Sequence, residues 1–345
     1  MSAQPAAAVA DVGGPFFEDL AVGQVEHGAP GATLTEGLAA AHRAIVGGRL
    51  RLTLDVELAR EVTGEVGLLA DPQLVCDVAI GQSTLLTRRV IANLFYRGLA
   101  FRRLPRIGDT LRTSTEVVAL RQTSAKPGRP ATGLAALRIR TVDQAGRPVL
   151  DFHRCALLPL RDPAGETGRA DELATVGASS FDAAGARRCV AGWDLAALRA
   201  AGTGSGGHAP AAGACWRVDA GDVVSAAPEL ARLSLNVAAA HHDAAATAAG
   251  RRLVYGGHTI GLAAAQVARA LPSLVSIVGW HGCDHLAPVF EGDTLTSLIE
   301  LERTEPLERA GAGTLLHLRS RVRARRADGG AAADVLDWRF AAVAA

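Results

Sequence analysis

The chain reads as an α+β protein made of two repeated lobes, each an antiparallel sheet wrapped around a central helix, and three observations predict this. Gly108-Asp109-Thr110-Leu111 returns as Gly292-Asp293-Thr294-Leu295, an offset of 293 − 109 = 184 residues in a chain of 345. A Pro precedes the turn and a β-rich strand follows it in both copies, and self-similarity with matching flanks is the mark of a duplicated unit. Each copy also lies in a run of strands separated by turn residues, with an apolar helical stretch placed before the run. That order suits a sheet that covers the apolar face of a helix.

The elements follow in order. Residues 1 to about 14 are small and featureless, and order begins at Phe16-Phe17-Glu18-Asp19-Leu20. Leu38, Ala41, His42 and Ile45 fall at helical spacing and predict a helix over Thr33 to Ile45, stopped by Gly47-Gly48. Leu54 to Val62 is a second helix candidate. Leu74 to Leu86 is apolar, is interrupted by Gly81, and is placed as the first central helix. Strands are expected at Val90 to Phe101, Thr110 to Arg121, Leu134 to Val142 and Val149 to Leu158. The Ala-, Gly- and acid-rich stretch from Arg161 reads as a linker, and Ala200 to Gly213 as a loop. In the second copy a strand lies within Ala214 to Ala226, and Pro228 to Ala240 is helical or turn-like. The central helix is Thr259 to Leu271, with Ile260, Ala263, Ala264, Val267 and Leu271 on one face and Pro272 as its stop. Strands follow at Val275 to Gly279, Thr294 to Arg303, Gly313 to Arg325 and Ala332 to Val343. The expected division is an N-terminal lobe over 15–160, a linker over 161–189 and a C-terminal lobe over 190–345. The lobes are expected to pack sheet to sheet with pseudo-twofold symmetry.

Bulk properties exclude several function classes. The net charge is 36 − 35 = +1, which leaves no electrostatic footprint for nucleic acid or a membrane surface. Lys126 is the only lysine, but abundant Ala and Gly make the Arg excess a matter of composition rather than a binding surface. Cys76, Cys155, Cys189, Cys215 and Cys283 form no CxxC pair, which suits reduced thiols in the cytoplasm. The N-terminus lacks the basic and apolar regions of a signal peptide. No run approaches the roughly 18 apolar residues needed to span a bilayer.

The chemistry concentrates between Leu235 and Leu271. Asn236 precedes His241 by 241 − 236 = 5 residues, Asp243 follows, and Val254-Tyr255-Gly256-Gly257-His258 opens the Ala-rich helix. An imidazole can take and return a proton near neutral pH. A carboxamide cannot, but it can orient a water. A glycine-opened helix start offers unpaired N–H groups to a developing negative charge, and Gly lets a ligand approach the backbone closely. Of these amides, that of Gly257 or that of His258 is the expected donor, and Tyr255 stands beside them. His242 and Asp243 are weaker candidates, and a loop-bracing role suits Asp243. His281, Asp284 and His285, around Cys283, resemble a metal set by type, but a strand would point them to opposite faces, and no metal is expected. Arg251 and Arg252 in the second lobe and Arg49 in the first could meet anionic parts of a substrate.

These residues resemble a known family. The Asn-x4-His-x-Asp spacing followed by VYGGHTIGLA is similar to the catalytic half of the MaoC-like (R)-specific enoyl-CoA hydratases of the hotdog fold. Asn236 stands where that family usually has Asp. This departure, with RRLVYGGHTIGLA and HLAPVFEGDTL, more closely resembles the double-hotdog branch of mesaconyl-CoA hydratases, also called β-methylmalyl-CoA dehydratases. FFEDLAVGQ and VIANLFYRGLAFRRLPRIGDTL agree in the first half, so the resemblance covers most of the chain except the linker. It implies a hydro-lyase acting on a 2-enoyl-CoA thioester without a cofactor, CoA being part of the substrate, and is compatible with a homodimer. It implies proton transfer by His241, positioning by Asn236, and a thioester oxygen held at Gly256, Gly257 and His258. The matching first-lobe region, Val46 to Asp55, has no such pair and would shape the acyl pocket. Two other readings remain: an acyl-CoA thioesterase on the same fold, against which residues 259 to 271 carry no carboxylate, and a non-catalytic acyl-CoA-binding protein.

Overall fold

Local capping chemistry sets the ends of the first helices. In α1 (Glu36–Val46) the Thr35 hydroxyl accepts from the Leu38 amide at 3.1 Å, and Gly47 closes the helix at φ 73°. α2 (Val56–Thr63) repeats the device with Asp55 and Gly64. Both glycines take the left-handed closing conformation that a Cβ would penalise. The first central helix, α3 (Pro72–Gln82), is buried along all 11 residues. A helix enclosed on every side has no polar face, which is why its periodicity is faint in the sequence. It ends at Gln82 and continues as a 3-10 turn over Ser83–Thr87. The computed structural model describes residues 12–124, 128–177, 182–201, 210–307 and 313–345. Most of the featureless start and most of the glycine-rich loop at 200–213 lie outside the described residues.

The first sheet comprises β1 (Val25–Glu26), β2 (Ala32–Thr33), β3 (Ala92–Phe101), β4 (Thr110–Gln122), β5 (Thr132–Val142) and β6 (Pro148–Pro159). Two short helices follow, α4 (Ala183–Cys189) and α5 (Leu195–Ala200), capped by Asp182 and Asp194. The sequence expectation had no helix there, because a stretch this short and Ala-rich shows no periodicity. Before them, the segment expected to link the lobes is pinned along the first sheet. Arg169 donates to the Phe17 and Glu18 carbonyls, and Asp171 accepts from the Leu120 amide at 2.8 Å.

The second half repeats the plan with β7 (Cys215–Val223), α6 (Ala227–Leu233), α7 (Gly256–Ala270), β8 (Leu274–His285), β9 (Thr294–Pro306), β10 (Thr314–Arg325) and β11 (Ala333–Ala344). The central helices start 256 − 72 = 184 residues apart, and β4 and β9 start 294 − 110 = 184 apart. Matching glutamines hold matching carbonyls: Gln82 Nε2 donates to Leu111 O at 3.1 Å, and Gln266 Nε2 to Leu295 O at 2.9 Å.

The two sheets meet edge to edge rather than face to face. β3 pairs antiparallel with β8, with Tyr96 opposite Cys283 and Leu99 opposite Trp280. One continuous sheet results, in the order β1-β4-β5-β6-β3-β8-β11-β10-β9-β7 with β2 on β4. α3 and α7 touch each other across the join, so the start of one central helix is packed by residues of the other. β8 runs six residues past the expected end at Gly279, through His285. A bulge between Trp280 and Gly282 shifts its register against β11, and this changes which of its later side chains face inward. None of the helices among the described residues is long and apolar enough to cross a membrane.

Candidate active site

A cavity of ≈ 340 Å³ opens where the two halves meet. The second half contributes Asn236, His241, Tyr255, Gly256 and His285 to its wall, and the first contributes Ile80, Thr84, Thr87, Tyr96 and Arg154. No Asp or Glu is among the lining residues.

The loop carrying Asn236 and His241 rests on the first half's 3-10 turn. The Val237 amide donates to Thr84 Oγ1 at 3.0 Å, and the Ala239 amide to Arg88 O at 2.9 Å. Leu235, just before Asn236, has φ 62°, a left-handed conformation that is costly for a large side chain. Asn236 is only 3 % exposed, and its Oδ1 accepts from the Ala238 amide at 2.9 Å. That leaves its Nδ2 donors for the cavity.

His241 Nδ1 lies 2.8 Å from the Leu253 carbonyl oxygen. A carbonyl can only accept, so the ring proton sits on Nδ1 and Nε2 keeps a free lone pair. Burial holds the imidazole pKa down at about 4, against a smaller upward pull from the Leu253 bond. His241 is therefore a neutral base at physiological pH. His242 turns the other way, with Nε2 2.7 Å from Asn236 O, and braces the loop.

α7 starts without a side-chain cap. The His258 amide is taken by Tyr255 O at 2.9 Å, so the first-turn amides with no intrahelical acceptor are those of Gly256 and Gly257. Gly256 lines the cavity. A Cβ on it would stand 2.6 Å from His285 Nε2, and one on Gly257 would stand 2.0 Å from Asp77 Oδ1. The first half differs at the matching place, where Asp71 caps α3 and Pro72 removes an amide. Tyr255 links the two halves. Its ring centroid is 5.6 Å from that of His241, and its hydroxyl reaches the Asp77 carbonyl at 3.5 Å. Asp77 itself is fully buried, bonded to His42 at 2.9 Å and Gln73 at 3.0 Å, and burial raises its carboxyl pKa.

The structure thus brings together Asn236, His241, Tyr255 and Gly256, with Gly257 directly behind. It places four other expected residues elsewhere. Asp243 is exposed and caps a short turn through the Ala245 amide. Arg49 is exposed near the middle of α7, by Ala264 and Ala265, away from the helix start. Arg252 is paired with Glu291. Arg251 pairs with Asp328 at 2.9 Å and lies over Phe290, on a second cavity of ≈ 710 Å³ that shares Val90, Ile91, Leu253 and Pro288 with the first. The region Val46 to Asp55 does not wall the main cavity; α3, its 3-10 turn, β3 and β6 do so instead. His258 is fully buried, with both ring nitrogens unpartnered.

Two residues of the site were not anticipated. His285 comes from the segment considered as a metal set, but the bulge sends only this imidazole to the cavity. Asp284 is exposed, and His281 bonds His317 at 2.9 Å. Among the described residues no cluster of three such side chains could hold a metal. The other residue is Arg154. Its signal in the sequence was a charge inside the alternating pattern of β6, in a chain too rich in Arg for one to stand out.

Comparison with known proteins agrees with this architecture. No protein-family model matches the chain. It is 30% identical over 311 residues to a β-methylmalyl-CoA dehydratase of Chloroflexus aurantiacus, covering 84% of this chain and 82% of that protein. It is 30% identical over 318 residues to a mesaconyl-CoA hydratase of Cereibacter sphaeroides, covering 88% and 87%. Among solved structures, a Mycobacterium tuberculosis protein described as having a double hotdog fold matches at TM-score 0.88 and 52% identity, over 97% of this chain and 99% of that one. A MaoC-domain dehydratase of Chloroflexus aurantiacus matches at TM-score 0.81 and 26% identity, over 98% and 99%. With its joined sheets, its paired central helices and these relatives, the chain belongs to the MaoC-like double-hotdog CoA hydratases and dehydratases and is a hydro-lyase.

Proposed function

We propose that the protein catalyses the reversible hydration of a short-chain 2-enoyl-CoA, with mesaconyl-CoA and its hydrated form, β-methylmalyl-CoA, as the first candidates. The observation that carries this reading is His241, a neutral imidazole whose Nε2 lone pair is free and which shares the cavity with Asn236 and the uncapped helix start at Gly256. In the hydration direction Nε2 takes a proton from water while the water oxygen bonds to the β-carbon. The thioester oxygen becomes an enolate oxygen held by the first-turn amides of α7, and the proton then passes to the α-carbon. Asn236 Nδ2 donates to the water oxygen and aims it. Every step is acid–base chemistry, so the reading requires no cofactor. The acyl group fits the inner cavity. The neighbouring cavity, with Arg129 and Arg251 in its wall, suits the CoA moiety and its phosphates. A thioesterase of the carboxylate type would need an Asp or Glu facing the acyl group, and none lines the cavity.

The enoyl-thioester absorbance band tests the assignment. Hydration bleaches it without releasing free thiol; hydrolysis releases thiol; binding alone does neither. Thiol release in step with substrate loss would overturn the reading.

A further inference from the structure

Arg154 lies in the cavity wall on β6 and is 3 % exposed. A guanidinium stays charged at any ordinary pH, and burying it without an anion is costly. Yet its three hydrogen bonds go to neutral oxygens: Nε to Ser83 Oγ at 3.1 Å, and Nη2 to Ser83 O at 3.0 Å and Thr87 Oγ1 at 2.8 Å. Among the described residues no carboxylate lies within ion-pair distance of it, and Nη1 has no partner. The cavity supplies no Asp or Glu either.

The internal repeat shows that this group was built into a place where the fold calls for hydrocarbon. Tyr96 pairs with Arg154 across the first sheet, and its counterpart Trp280 (96 + 184 = 280) pairs with Phe340 across the second. Ser83 and Thr87 correspond in the same way to Val267 (83 + 184) and Leu271 (87 + 184). Phe340, Val267 and Leu271 are all buried core residues. One half thus packs Phe, Val and Leu where the other carries Arg, Ser and Thr. The hydroxyls and the carbonyl fix two edges of the guanidinium fork and leave the third toward the cavity.

Mesaconyl-CoA, the first candidate substrate, carries a free carboxylate on its acyl group, and we propose that Arg154 is the residue that binds it. The carboxylate completes the charge of a buried cation, and the charge-assisted bond fixes the far end of the acyl group while the α7 amides hold the thioester end. The second half thereby supplies the chemistry and the first half the choice of substrate. The inference rests on the hydratase reading of the same cavity.

The test compares mesaconyl-CoA, which carries a carboxylate, with crotonyl-CoA, which does not. The wild-type protein should favour mesaconyl-CoA in kcat/KM. Arg154→Met should lower the ratio of the two kcat/KM values roughly 10²- to 10³-fold, the usual range for truncating one partner of a buried charge pair, and Arg154→Lys should lower it less. An unchanged ratio in Arg154→Met overturns the proposal, since a merely structural arginine would depress both substrates together. A measurement on the unaltered protein covers the case in which these variants do not fold. Succinyl-CoA, which has the carboxylate, should bind at least roughly 30-fold more tightly than butyryl-CoA, which lacks it. Equal affinities overturn the proposal. If neither enoyl-CoA is hydrated, the hydratase reading fails, while the succinyl-CoA to butyryl-CoA comparison still reports on Arg154.

Discussion

Gly257→Ala tests how tightly the start of the reactive helix is set against the first half. The added Cβ would fall 2.0 Å from Asp77 Oδ1 and 2.5 Å from the Tyr255 ring, where real contacts do not come below 3.0 Å. At least 3.0 − 2.0 = 1.0 Å must therefore open. Asp77 cannot swing away cheaply, because it is fully buried and held by His42 and Gln73. Breaking such a buried pair costs about 3–5 kcal/mol. Shifting the helix start instead is an overpacking cost of about 1–3 kcal/mol, offset by up to about 1 kcal/mol because Ala favours a helix over Gly. The cheaper route wins, so a net loss of about 1–2 kcal/mol is expected, read as a lower urea midpoint with an unchanged m-value. The same displacement moves the first-turn amides by about 1 Å, which should lower kcat/KM by around 10²-fold at temperatures where the variant is folded. Gly282→Ala is the control, since a Cβ there meets nothing within 4 Å. A Gly257→Ala protein with wild-type stability and wild-type kcat/KM would refute the packing account of the helix start.

The other predictions concern the loop, the histidines and the crossing of the two halves. Asn236→Ala should lower kcat by roughly tenfold, less than loss of the proton carrier, because it removes orientation only; a loss as large as that of His241 would show that Asn236 does more. Asn236→Asp should retain activity and add a second group to the pH profile of kcat/KM; an inactive Asp variant would count against a water-positioning role. His241, His258 and His285 are each held down at about 4 by burial, against about 6.5 in the unfolded chain. Between these values the unfolded state binds more protons, so stability should fall as pH drops from about 6.5 to about 4, at up to about 1.4 kcal/mol per pH unit for each such histidine. A flat urea midpoint across that window would contradict their neutral state. Gly81→Ala places a Cβ 1.7 Å from the Ser234 carbonyl oxygen. It should lower the thermal midpoint by several degrees and disturb the loop that carries Asn236, and an unaltered midpoint would refute the close crossing.

What the sequence showed followed from periodicity and repetition. The GDTL repeat gave the 184-residue offset that the central helices and the strands β4 and β9 obey, and Gly256-Gly257 marked an uncapped helix start because no other residue type tolerates that approach to Asp77 and His285. Other parts of the site depend on the joining of the two halves. Arg154 is 154 residues into the chain and Asn236 is 82 residues later, and only the β3–β8 pairing brings their walls around one cavity. No local pattern distinguishes Arg154 from the half-buried Arg138 on the neighbouring strand β5, which has a carboxylate partner in Asp151. His285 was hidden by a bulge, since strict alternation along β8 gives no hint of where the register slips. The α3 helix was placed from its apolar content, but its end at Gln82 was obscured because the following 3-10 turn is buried too, except at Leu85.

The proposed hydration requires His241, neutral and with Nε2 free, to move the proton that accompanies addition of water. The direct measurement is the rate of enoyl-thioester bleaching, with free thiol followed in parallel, for the wild-type protein and for His241→Ala. The wild-type protein should bleach the band without releasing thiol. His241→Ala should lose roughly two to four orders of magnitude in kcat, the range for losing a general acid–base, with CoA-thioester affinity little changed. Full turnover by His241→Ala, or a thiol released for each enoyl group lost, would contradict the proposed hydration.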